Sequence, residues 1–125
     1  MIAASASLVP DFPAYRSMTH AQPNEMDFHR IKLGLERRKR YRYVQPEIRC
    51  IADGYEIVSA CCSRNVDPGG GIIDIARVIY LAYSSTWELY RKDHELGLWV
   101  LHGEYLGLPR ILDILNEDFD RRFWQ

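Results

Sequence analysis

Five chemically capable side chains stand together at Arg91-Lys92-Asp93-His94-Glu95, and a second imidazole follows at His102. A histidine beside carboxylates has the makings of a general base, and an arginine or lysine next to it could stabilise a developing anion. The sequence offers no nucleophile, no pair of oxyanion donors and no third group to orient the imidazole, so this tract reads first as a charged hairpin tip facing water. A metal site built from His94, His102, Cys61 or Cys62 is equally short of support. Zinc ligands come in pairs two to four residues apart, and this chain has no such pairing. No metal and no cofactor is expected.

A second cationic tract, RRKRYRY at Arg37 to Tyr43, mixes guanidinium groups with stackable rings. Arg37, Arg38, Arg40 and Tyr43 there, with Arg91, Lys92 and His94 at the tip, would suit a phosphate backbone and unpaired bases. The competing reading is a solvated helix end whose tyrosines enter the core. A third group is aromatic. Trp87, Tyr90 and Trp99 lie among Tyr80, Tyr83 and Tyr105, more ring surface than one sheet face buries under two short helices. Left on an open face, such rings would form a partner or dimer surface.

These residues must be positioned by a small set of elements. Pro23-Asn24-Glu25 predicts a helix entry with Asn24 as N-cap and Glu25 and Asp27 in the first turn. Phe28, Ile31 and Leu35 follow on one face, and Pro46 stops any continuation. From Glu47 the period changes to two, and Asp53-Gly54 signals a hairpin turn. Further strands are expected over Tyr55 to Ser63, Ile73 to Tyr83, Thr86 to Lys92 and Leu98 to His102. The stretch from Asn65 to Gly71 reads as a mobile connection. Asp67-Pro-Gly-Gly-Gly within it lacks the Lys-Ser/Thr and the following helix of a phosphate cradle. Pro109 suits the first turn of a closing helix whose apolar stripe is Leu108, Ile111, Leu112, Leu115 and Phe119. Short turns between neighbouring strands predict an antiparallel meander with a helix at each end, an α+β fold.

Residues 1–22 read as a flexible N-terminal arm and residues 23–125 as a single domain. The formal net charge of −1 argues against a whole-molecule preference for nucleic acid or anionic membrane. The distribution is less even: residues 28–43 carry seven Lys/Arg against one Glu, while residues 44–125 carry eight against thirteen acids. Three cysteines without CxxC spacing fit a reducing, cytoplasmic setting. No signal peptide and no membrane span is expected.

Several scattered elements resemble a bacterial domain-of-unknown-function family numbered three-zero-two-four. They are Asn24-Glu25, Arg30-Ile31, Pro46, Asn65 to Pro68, Ile75-Ala76, Trp87 to Asp93, Trp99, His102 and Asp118 to Trp124. In that family pattern the second tryptophan and the histidine are neighbours, whereas Val100 and Leu101 separate them here. Arg122-Phe123-Trp124 replaces a cysteine-containing ending. The resemblance implies no activity, cofactor or catalytic residue.

The first functional expectation is a non-enzymatic, homodimeric binding or regulatory protein that holds an unidentified protein partner through Trp87, Tyr90 and Trp99 or through the basic helix end. The alternative is an RNA-binding protein or a metal-independent endoribonuclease of the small toxin type. In that reading Arg40, Tyr43, Arg91, Lys92 and His94 act together. A visible feature separates the two: RNA chemistry needs both basic tracts on one concave face, whereas a dimer needs a flat face of exposed rings.

Overall fold

The computed structural model describes residues 21–42, 44–60 and 71–125. Helix α1 (Glu25–Gly34) runs into a 3-10 turn (Leu35–Arg37). Five strands follow, β1 (Glu47–Ile51), β2 (Gly54–Ala60), β3 (Ile72–Leu81), β4 (Thr86–Asp93) and β5 (Leu98–Tyr105), and α2 (Leu108–Glu117) comes last. The strands pair in chain order as an antiparallel meander, so the architecture is α+β as the periodicity predicts. Residues 1–20, Tyr43, and Cys61 to Gly70 lie outside the described residues, and with them all but the last two residues of the expected arm, most of the glycine-rich connection and both vicinal cysteines.

The helix entry forms as its sequence dictates. Asn24 is extended, and its side-chain oxygen accepts from the Asp27 amide at 2.8 Å, which satisfies one of the donors a helix start leaves unpaired. Phe28, Ile31 and Leu35 turn inward, while Met26 and Leu33 face water. Gly34 lets α2 approach closely, because a Cβ there would lie 2.6 Å from a Leu112 methyl. The Asn116 amide fastens the contact by donating to the Gly34 carbonyl at 2.9 Å.

The first hairpin differs from the expectation by one residue. Its turn is Ala52-Asp53, with Asp53 at φ 64°, and Gly54 already opens β2 opposite Ile51. Gly54 is required for a different reason from the expected one: a side chain there would collide with the Val78 carbonyl of the neighbouring strand. β5 continues past His102 to Tyr105 and carries one extra residue, His102, between the pairs Leu89–Gly103 and Tyr90–Leu101. The bulge turns the imidazole toward the helices, edge-on to Phe123 with 5.1 Å between ring centroids.

Register gives the sheet two unlike faces. Ile48, Tyr55, Ile57, Val78, Trp87 and Leu89 meet the apolar sides of both helices in one core. Tyr55 is fully buried, and its hydroxyl donates to Gln22 Oε1 at 2.6 Å while accepting from the Asn24 amide. Burial pushes that phenol far above its ordinary range. Among the described residues the opposite face carries no helix.

The closing helix ends earlier than its apolar stripe suggests. Asp118 takes a left-handed conformation at φ 42°, so α2 stops at Glu117. Phe119, expected on the buried stripe, is instead 82% exposed. The chain then folds back so that Phe123 and Trp124 enter the core at 1% exposure each.

Candidate functional site

The open sheet face carries two of the three expected rings, Tyr90 and Trp99. Trp87 points the other way and is 6% exposed, packed between Tyr55 and Tyr80. Burial thus removes it from any partner surface. Tyr90 does face outward, with its hydroxyl donating to Glu88 at 2.7 Å, and that bond with partial burial raises its pKa. Trp99 also lies on this face, held between the Arg77 guanidinium at 4.5 Å and the Lys92 ammonium at 4.9 Å. Both cations are themselves paired, Arg77 with Glu56 and Lys92 with Asp74 at 3.2 Å. Arg49 and Glu47 add another pair at 3.0 Å. The face is a lattice of neutralised charges with one tryptophan inside it.

The basic tract after α1 is largely structural. Arg38 is 5% exposed, donating to the carbonyls of Leu35, Tyr41 and Val44 and stacking over Trp124 at 5.1 Å. Burial, with Arg42 nearby, lowers its pKa from the usual arginine value. Arg40 Nε donates to the Asp118 carbonyl at 3.1 Å, and Lys39 pairs with Glu117 at 3.0 Å. Arg37 and Arg42 face solvent. Tyr43 lies outside the described residues.

The backbone that Arg40 holds belongs to the segment Asp118–Gln125, which sequence alone does not single out as a site. Its organiser is the Asp118 carboxylate, 4% exposed as a residue. Oδ1 accepts from the amides of Arg122 and Phe123 at 2.9 and 3.2 Å, and Oδ2 accepts from Trp124 at 2.9 Å. A buried carboxylate is affordable only when satisfied in this way. Trp124 Nε1 completes the lock by donating to Leu115 O at 2.8 Å.

So fixed, the segment runs beside the β4–β5 hairpin tip and makes a cleft of about 550 Å³. Arg91, Lys92, Asp93, His94 and Glu95 line one side, and Arg121, Arg122 and Gln125 line the other. Arg91 makes no ion pair among the described residues. Arg122 reaches only Asp120, at 3.8 Å, and Arg121 donates to the Tyr41 hydroxyl at 2.9 Å. Asp93 is occupied in the turn, where its Oδ1 accepts from the amides of Glu95 and Leu96, both at 3.0 Å. His94 Nε2 is buried without a hydrogen-bond partner. Desolvation first, and Lys92 with it, depress the His94 pKa against the pull of Asp74 and Asp93. Burial, Arg91 and Arg122 depress that of His102. Both rings are therefore biased toward the neutral form, chiefly by burial, with Lys92 adding to it at His94 and Arg91 and Arg122 at His102.

The hairpin tip thus meets Arg121 and Arg122, and the tract of Arg37 to Arg42 touches the cleft only through the Arg121–Tyr41 hydrogen bond. Three guanidiniums, those of Arg91, Arg121 and Arg122, thus share one concavity with the carboxylates of Asp93 and Glu95. Among the described residues no group of three or more His, Cys, Asp or Glu could hold a metal ion. Cys50 is half-buried, and burial raises its thiol pKa. The adjacent Arg121-Arg122 was the available signal for the missed half of the cleft, but only the long-range docking of Trp124 shows where that pair points.

The architecture is a five-stranded antiparallel meander with both helices on one face and a cationic cleft at one end of the sheet. The chain belongs to the DUF3024 family, a domain of unknown function, whose model matches residues 18–125. No curated protein and no solved structure gives a significant match to it. Among the described residues no helix is long and apolar enough to cross a membrane.

Proposed function

We propose that this protein binds a phosphate-rich polyanion, single-stranded RNA foremost, in the cleft between the hairpin tip and the closing segment. One observation carries the reading: Arg91, Arg121 and Arg122 converge on one concavity while the cations of the open sheet face are neutralised by carboxylates. Arginine donors in a fixed fork match phosphate geometry, and a backbone of repeating charge would use all three. The reading is binding without cleavage, because Arg40, one of the actors an RNA-cutting site would need, is engaged with the Asp118 carbonyl.

Fluorescence anisotropy with a labelled single-stranded RNA tests this at several salt concentrations. Binding that weakens steeply with salt, and is lost in R121E/R122E but kept in R49E, supports the cleft. Binding unaffected by the double charge reversal overturns it.

A homodimeric protein-binding role keeps one supporting observation. β5 is an edge strand, and Leu98 and Leu101 along it are 57% and 50% exposed. Pairing of β5 with a second copy would cover them, since an unpaired apolar edge invites another strand. Sedimentation equilibrium decides this: a dimer that Leu101→Lys dissociates supports it, and a wild-type monomer at high micromolar concentration removes it.

A further inference from the structure

The cationic cleft does not end at Arg122. That side chain also lines a second concavity of about 270 Å³ between α2 and the end of β5. Its walls are of another kind. His102, Tyr105, Phe119 and Phe123 supply rings, and the carboxylates of Asp113 and Glu117 stand among them. Phe119 is the unusual member. Its ring is 82% exposed immediately after a helix end, put there by the left-handed Asp118, although its neighbours Phe123 and Trp124 are buried. Among the described residues its ring takes no part in the core. A large exposed ring beside a cationic cleft is the pairing found where proteins hold unpaired nucleotides, with phosphate on arginine and the base on an aromatic face.

We propose that this second concavity is a nucleobase subsite: an unpaired base of a strand whose phosphates lie in the Arg91–Arg121–Arg122 cleft stacks on Phe119. The inference rests on the polyanion reading above and adds the class of polyanion, one that bears bases. Charge complementarity commits the occupant. The phosphates next to the base meet Arg122, which belongs to both concavities, and the Asp113 carboxylate accepts from a base-edge amino group, Glu117 being paired with Lys39. A strand without bases would fill the cleft and leave this subsite empty.

The test compares two labelled probes of equal phosphate number by fluorescence anisotropy: a single-stranded RNA of about 12 nucleotides and an abasic strand of the same length. The wild-type protein is expected to bind the base-bearing strand about tenfold more tightly, the margin that one stacked base supplies. Phe119→Ala removes an exposed ring and should leave folding intact. It is expected to erase that margin while the abasic affinity stays unchanged, and Phe119→Trp should restore it. Equal binding of both probes by the wild-type protein, or a margin that survives Phe119→Ala, overturns the base subsite and leaves the cleft standing. Failure of both probes to bind, or binding insensitive to R121E/R122E, overturns the cleft reading and the subsite with it.

Discussion

Two regions of this small protein hold much of its charge and use it in opposite ways. On the open sheet face each of Arg49, Arg77 and Lys92 has a carboxylate beside it, and Trp99 sits between two of the three. At the cleft, Arg91 and Arg121 lack an acidic partner among the described residues and Arg122 has only a distant one. Both regions contain an Arg or Lys near an aromatic ring, so composition does not tell them apart. Partnering does. A cation already paired gains little from a ligand, because binding must first break the existing pair, whereas an unpaired guanidinium in a concavity loses no partner on binding.

The largest effect should come from the residue that builds the cleft. Asp118→Ala leaves three backbone amides without an acceptor, two of them on the buried residues Phe123 and Trp124. A loss of roughly 3–5 kcal/mol is expected, as for other broken buried charge networks, and urea unfolding checks it. Arg49→Ala on the open face should cost about 0.5 kcal/mol or less in the same assay, since its pair with Glu47 is exposed. Equal losses for the two substitutions would show that the closing segment is not locked as described.

Next in size is the charge reversal R121E/R122E. It should lower RNA affinity by about two orders of magnitude at low salt and flatten the salt dependence, with little change in unfolding midpoint because both side chains face solvent. On the other region, Trp99→Ala should cost about 1 kcal/mol of stability through loss of two cation–ring contacts. The same substitution should leave RNA affinity unaltered. A fall in affinity comparable with that of the double reversal would erase the distinction between the two faces.

The smallest effects concern pH. His94 and His102 titrate below their ordinary value in the folded protein, so the unfolded chain takes up protons first as the pH falls. Stability should therefore decline below about pH 6.5, the ordinary histidine value, until the folded rings are protonated in turn. Anion binding pulls the other way at His94, which lines the cleft. A bound phosphate raises its pKa, so RNA affinity should strengthen as the pH drops from neutrality. His94→Gln should flatten that rise in an anisotropy titration, and a rise of equal size in the variant would assign it to other groups.

The sequence made the frame of the molecule legible because its signals are local. Asn24 and Asp27 cap the first helix within one turn, strand alternation separates Trp87 from Tyr90, and Pro109 falls in the first turn of α2. The site was half legible. Arg91 to Glu95 is legible as a hairpin tip, but the opposite wall is not. Its position depends on a left-handed Asp118 and on Trp124 reaching back to Leu115, contacts that no periodicity encodes. The same turn explains why Phe119 leaves its apolar stripe. The aromatic residues divide for a related reason: alternation separates Trp87 from Tyr90, but it does not show that Arg77 and Lys92, from two other strands, reach over Trp99.

The most direct test of the central contrast is a titration of the isotopically labelled protein with a short single-stranded RNA, followed by NMR through backbone amide and arginine side-chain signals. Shifts confined to Arg91–Glu95 and Arg121–Gln125, with Arg49, Glu56, Arg77 and Tyr90 unmoved, are the expected result. Shifts centred on the open face, or no shifts at all, would contradict the account.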